Sequence, residues 1–313
     1  MSNPLLTGQF VIRNYLKDFL VTARDGGNHS VDALVSNVAD AAIGPNETFT
    51  FFPRSATQAT IRTSKGFFVS ARGGGGIGGT NDDTLTFQTE RRQLADDVLF
   101  RLDGPAPDGT MTIATLDGHF VTAVGGGGKS TRAFHTDATT ASTWEKFYIV
   151  RVGDLGSGLQ YAIRPAGTGI NLPGLGIAIS FLTALGGGNR LVHAMTANSH
   201  LQPESKFRLH RQPDGSFALQ TSNGFFVTAD NGGGLAHGTP QMDNLITTKT
   251  HIQDWEKFKI VETSPGRYTI QTISGFFIGV KIDFTNISTR ISFPDEASSI
   301  DYNAHFELIM TGL

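Results

Sequence analysis

One five-residue phrase occurs six times along the 313-residue chain, and its regular return constrains the fold more than any other feature. The copies are Phe19-Leu20-Val21-Thr22-Ala23, Phe67-Phe68-Val69-Ser70-Ala71, His119-Phe120-Val121-Thr122-Ala123, Ser180-Phe181-Leu182-Thr183-Ala184, Phe225-Phe226-Val227-Thr228-Ala229 and Phe276-Phe277-Ile278-Gly279-Val280. Their starting points lie 48, 52, 61, 45 and 51 residues apart. A period of this size marks a supersecondary unit that must share its core with neighbouring copies.

Two further landmarks keep the same step. Upstream of the phrase stand the aliphatics Ile12, Ile61, Ile113, Leu219 and Ile270, with Ile163 set further back. Two residues before them come Phe10, Ala59, Met111, Tyr161, Phe217 and Tyr268, which gives the period-two alternation of a half-buried strand. Downstream, the pairs Phe49/Phe51, Phe100/Leu102, Phe147/Ile149, Phe207/Leu209, Phe258/Ile260 and Phe306/Leu308 mark another such strand. Gly66, Gly118, Gly224 and Gly275 fall where a tight hairpin requires positive φ, and Asn223-Gly224 is the strongest single turn signal.

Units of about four short strands cannot bury an apolar face alone. Three of them closed around a pseudo-threefold axis bury Ile/Leu and Phe layers in one core and pair most sheet edges. The expected class is therefore all-β, with two tandem β-trefoil domains of three repeats each. These span 1–153 and 154–313, divided at the linker-like stretch Gly153–Gly158. A six-bladed propeller is the rival arrangement; only three clear strand marks per unit favour the trefoil. The fourth copy alone carries an insertion, residues 165–178, read as a Gly/Pro loop or a short extra hairpin.

Composition narrows the function. The formal net charge is −3 with no basic run, which disfavours the counterion displacement that nucleic-acid binding needs. There are no cysteines, so disulfides, thiolate metal sites and a cysteine nucleophile are excluded, and a reducing compartment is the easier fit. Met1–Leu6 lacks the basic stretch and apolar run of a signal peptide, and no window approaches the roughly 18 apolar residues of a membrane span. A cytoplasmic location and no membrane span are expected.

Several motifs imitate chemistry. Gly125–Gly128 followed by Lys129-Ser130 fits a relaxed phosphate loop, but a true one leads from a strand into a helix. Here the equivalent runs Arg72–Ile77, Leu185–Asn189 and Asn231–Leu235 lack Lys-Ser and precede another strand. Gly74, Gly76 and Gly79 fit GxGxxG without a parallel βαβ context. These glycines are read as turn residues that adopt positive φ and pass close to neighbouring backbone. The nine histidines show no compact metal-ligand spacing. No Ser/His/Asp set has its elbow context and no carboxylate pair stands out. Glu47, Glu145 and Glu256, at one repeat position, are read as acceptors of backbone hydrogen bonds. A non-enzymatic protein without cofactor or metal is expected.

The unit resembles that of the fascin-like β-trefoil family. The resemblance lies in Gly118-His119-Phe120-Val121-Thr122-Ala123, Gly125–Gly128 and Trp144-Glu145-Lys146-Phe147, and returns in Gly224–Ala229, Gly232–Gly234 and Trp255-Glu256-Lys257-Phe258. It implies either carbohydrate recognition or actin bundling. Family members that bundle actin carry four trefoils, whereas this chain has length for two and no room for a catalytic domain, which puts bundling in doubt. The expected function is lectin-like binding of a carbohydrate or glycoconjugate through shallow repeated pockets, whose weak contacts add through avidity. The alternative is a fascin-type actin- or protein-binding module.

The candidate ligand-binding residues border the glycine runs: Asn28 and His29, Asn81 and Asp82, Lys129, Asn189 and Arg190, Asp230 and Asn231. His135 and His237 occupy equivalent strands after the glycines. Trp144 and Trp255 carry two readings, caps on the barrel rim or platforms for the C–H face of a sugar. Copy six replaces the glycine run with Lys281-Ile282-Asp283-Phe284, so its pocket is expected to be altered or absent.

Overall fold

The structure, a computed structural model, describes residues 8–38, 43–77, 87–90, 98–166, 181–192, 194–233, 245–283, 288–292 and 304–311. Contacts divide the chain into two units. One comprises Met1–Ala106, Thr110–Gly153 and Gly312–Leu313; the other comprises Pro107–Gly109 and Asp154–Thr311.

In the first unit the alternating segments before and after each phrase become the staves of a barrel. They are β1 (Gln9–Asn14), β4 (Thr48–Pro53), β5 (Gln58–Thr63), β8 (Leu99–Asp103), β9 (Met111–Thr115) and β12 (Lys146–Val152). Pairing runs β1–β4, β4–β5, β5–β8, β8–β9, β9–β12 and back to β1, all antiparallel, so the ring closes without a free edge. Each phrase forms the first strand of a hairpin: β2 (Leu20–Ala23) with β3 (Leu34–Val38), β6 (Phe68–Ala71) with β7 (Phe87–Glu90), and β10 (Phe120–Ala123) with β11 (Phe134–Ala138). A six-stranded barrel joined to three hairpins is the β-trefoil arrangement.

The second unit repeats it. Its barrel follows β13 (Gln160–Pro165), β16 (Lys206–Arg211), β17 (Phe217–Gln220), β20 (Phe258–Ser264), β21 (Arg267–Thr272) and β24 (His305–Met310), which returns to β13. The hairpins are β14 (Phe181–Ala184) with β15 (Met195–Asn198), β18 (Phe226–Ala229) with β19 (Leu245–Lys249), and β22 (Gly279–Asp283) with β23 (Ser288–Ser292). In copy six the strand β22 runs on through the place where the other copies turn, which is how the missing glycines are expressed. The rest of the insertion, from residue 167, lies outside the described residues.

The three sequence landmarks become three layers of core. Ile12, Ile61 and Ile113, then Phe49, Phe100 and Phe147, then Val21, Val69 and Val121 enclose an apolar void of about 30 Å³ with Leu34 and Phe134. In the second unit Ile163, Leu219 and Ile270 pack with Phe207, Leu182, Val227 and Ile278 around one of about 10 Å³. Every one of these side chains is buried, and each contributes about 1.5–3 kcal/mol relative to exposure. The hairpin glycines behave alike, with φ of +87°, +88°, +87° and +95° at Gly66, Gly118, Gly224 and Gly275.

Candidate functional site

Immediately after the phrase in copies one to five the chain makes the same tight turn, and its geometry explains the glycines. The second residue lies in the left-handed region: Asp25 at +49°, Gly73 at +60°, Gly125 at +69°, Gly186 at +64° and Asn231 at +52°. Only Gly, Asn and Asp occupy this place, the residue types that tolerate that conformation. The next two residues, Gly187 at +74° and Gly188 at +119° in copy four, also have positive φ.

Each turn seats on the hairpin of the following repeat. A Cβ on Gly27 would stand 2.6 Å from the Phe67 ring, and one on Gly75 would stand 2.8 Å from Thr115 Cγ2. Gly127 closes the first ring by meeting Asn14 and Ser36 of copy one. In the second unit Gly188 meets Thr221 and Phe225, and Gly232 meets Ser274. Buried hydroxyls reinforce the seat: Thr63 Oγ1 donates to Gly26 O at 2.7 Å and Thr221 Oγ1 to Gly187 O at 2.6 Å. The close approach expected to neighbouring backbone is instead made to side chains of the next repeat, and it is those that leave no room for a Cβ.

The two residues that follow join the next repeat by backbone. Thr89 N donates to His29 O at 2.9 Å, Thr136 N to Ile77 O at 2.8 Å, Ser36 N to Lys129 O at 2.8 Å and Thr247 N to Arg190 O at 2.9 Å. His29, Lys129 and Arg190 thus hold one repeat position, with backbone committed and side chain directed by the turn. Asn28 and Asn189 precede them with φ of +67° and +63°. Because the repeats are arranged about an axis, these residues form separate, quasi-equivalent loops rather than one pocket.

In copy four this loop borders a cleft of ligand size. It measures about 620 Å³, is shallow, and is lined by Gly186, Gly188, Asn189, Arg190, Leu191, Val192, Asn223 and Phe225. Asn189 and Arg190 are the sequence candidates it unites; Asn223 and Phe225 come from the next repeat's hairpin. Asn223 Nδ2 donates to Gly186 O at 2.9 Å, which leaves its carbonyl oxygen as an acceptor. Leu191 and Val192 are 68% and 55% exposed, large values for aliphatic side chains. Sequence reading missed this pair; the available signal was Leu191 where copies one and three carry Ser30 and Ser130.

The other candidates are dispersed. Asp230 and Asn231 lie in the fifth copy's turn, where Asn231 Nδ2 reaches Asp230 Oδ2 at 3.4 Å. His135 sits on β11 against the Asp137 carboxylate. Asn81, Asp82 and His237 lie outside the described residues. Trp144 and Trp255, 41% and 42% exposed, stand on short turns just before β12 and β20. Trp255 Nε1 is 3.8 Å from the position of a Cβ on Gly232, which places the indole beside a glycine turn and outside the deep core.

The carboxylates that share one repeat position in copies one, three and five do what that position suggested. Glu47, Glu145 and Glu256 are buried and accept from the backbone N–H three residues earlier, of Gly44 at 2.8 Å, Ser142 at 2.7 Å and Gln253 at 2.8 Å. Glu145 also accepts from Thr122 Oγ1 at 2.8 Å. Hydrogen bonds from the Ser216 hydroxyl and amide hold the Asp214 carboxyl below the usual carboxylate value, and a hydrogen bond to Asp254 raises Lys257.

No family model matches the chain, and no characterised protein matches it by sequence, so the fascin-like resemblance is not established by comparison. Among solved structures, a mosquitocidal holotoxin is 8% identical at a TM-score of 0.38 over 97% of this chain and 34% of its own. The chain thus spans about a third of the holotoxin's length. Polyporus squamosus lectin, bound to a human-type influenza-binding epitope, is 16% identical at 0.37 over 50% of each chain. Rhizoctonia solani agglutinin is 13% identical at 0.37 over 48% of this chain and 98% of its own. At these scores the likenesses carry no argument; the fold rests on the strand pairing itself.

Proposed function

We propose that this chain is a non-enzymatic, lectin-like carbohydrate-binding protein built on trefoil domains at 1–153 and 154–313. The observation that carries the reading is the cleft between the fourth repeat's glycine turn and the fifth repeat's hairpin. It is shallow and joins an aromatic ring, Phe225, to polar groups of Asn189, Arg190 and Asn223. Sugars need that combination, an apolar wall for ring C–H groups and several directional partners for hydroxyls. The buried carboxylates favour a binding role over hydrolysis, since Glu47, Glu145 and Glu256 are occupied by backbone amides. Trp144 and Trp255 supply further exposed ring faces beside the turns of copies three and five.

A glycan array followed by calorimetry on the hits tests the reading; binding to no saccharide would end it. Filament co-sedimentation, run beside it, tests the fascin-type alternative: protein that stays wholly in the supernatant removes actin as a partner.

A further inference from the structure

The repeat position held by Arg190 is basic in copies one and three as well, and what faces it differs between copies one and four. In copy one His29 Nε2 lies 3.1 Å from Asp25 Oδ2, the carboxylate four residues earlier in the turn. In copy four the residue equivalent to Asp25 is Gly186. Arg190 lies over it, with Nε 3.8 Å from the position a Cβ on Gly186 would take. The carboxylate that answers the basic group in copy one is thus absent in copy four, and the space is part of the cleft. Among the described residues Arg190 makes no ion pair, while its backbone is pinned by Thr247 at both N–H and C=O.

The groups around that guanidinium define a ligand. A planar guanidinium with donors in a fixed fork matches a carboxylate in two parallel hydrogen bonds. Asn189 and Asn223 offer amide groups to hydroxyls, and Phe225 with exposed Leu191 and Val192 offers apolar surface. We infer that the cleft between copies four and five selects carboxylate-bearing saccharides, of the uronic-acid or sialic-acid type, and that Arg190 receives the carboxylate. The inference rests on the carbohydrate reading above and names the class of sugar.

Two substitutions test it without disturbing the fold. Arg190→Gln removes the charge from an exposed side chain and keeps the backbone pairing with Thr247. Gly186→Asp rebuilds the pairing of copy one inside copy four. The turn accepts it, because Asp25 and Asn231 adopt φ of +49° and +52° at the same place, against +64° for Gly186. The experiment is calorimetry of the full chain with oligosaccharides ending in glucuronic or sialic acid, each beside its neutral methyl ester. The acid forms should bind at least about tenfold more tightly than their esters, the range of a hydrogen bond to a charged group. That margin should shrink in high salt and vanish in both variants. The two acid arms show which type of acid fits. Equal binding of acid and ester, or a margin that survives both variants, overturns the inference and leaves the carbohydrate reading in place. Binding of neither acid, ester nor any other saccharide removes both.

Discussion

The closing strand of the second barrel offers the sharpest test of how that unit is held together. Glu307 on β24 is fully buried and sits between two arginines that are themselves almost covered, with side chains 11% and 13% exposed at Arg164 and Arg267. Arg164 on β13 approaches Oε2 with both Nε, at 2.8 Å, and Nη2; Arg267 Nη1 on β21 lies 3.0 Å from Oε1. One carboxylate therefore compensates two cations on the strands that flank it. Glu307→Gln keeps the shape and removes the charge, which leaves two guanidinium groups with little access to water. Removing one partner of a buried ion pair costs about 3–5 kcal/mol. With a urea dependence of about 2 kcal/mol/M, the unfolding midpoint should fall by about 1.5 M or more. Trp144→Phe in the background leaves Trp255 as the single tryptophan, so fluorescence then reports on the second unit. The same reasoning requires that Arg164→Met, Arg267→Met and Glu307→Leu together cost far less than Glu307→Gln alone, because no uncompensated charge remains. A midpoint shift below about 0.3 M for Glu307→Gln, or a triple variant as damaged as the single one, would refute the argument.

Other outcomes follow from the turns. Gly188→Ala would place a Cβ 2.9 Å from Thr221 Oγ1 and 3.0 Å from Phe225 at φ +119°, so it should destabilise the second unit by about 1–3 kcal/mol in urea unfolding. It should also weaken ligand binding at the copy-four cleft. Glu145→Ala strips the Ser142 N–H and the buried Thr122 hydroxyl of their acceptor and should cost the first unit about 1–3 kcal/mol by the same assay. In a carboxylate titration followed by NMR, Asp214 should titrate below an ordinary aspartate, and Ser216→Ala should move it upward. Because its folded value is depressed, its contribution to stability is present above the unfolded value and is lost as pH falls through the folded one.

What the residues alone determined is whatever depends on a few neighbouring positions. The period-two alternation before and after each phrase named the barrel strands, since side chains on a strand face inward at every second residue. Gly66, Gly118, Gly224 and Gly275 named the hairpins, since positive φ is a local demand. Glu47, Glu145 and Glu256 could be read as acceptors of backbone hydrogen bonds because the amides they satisfy are three residues away. The closure in threes followed from the repeat count and from the need to bury three incomplete apolar faces together.

The tertiary structure decided everything that passes between repeats. That the glycine turn of one copy seats on the hairpin of the next joins Gly188 to Phe225 and Gly127 to Asn14, residues far apart in the chain with no pattern linking them. Closure about an axis also scattered the sequence candidates into equivalent loops, and the fourth copy gathered Asn189 and Arg190 with Asn223 and Phe225. That Asp25 stands four residues before His29 while Gly186 stands four before Arg190 is local, but that Arg190 faces a cleft lined by Asn223 and Phe225 is not. That geometry exists only once the next repeat has packed against it.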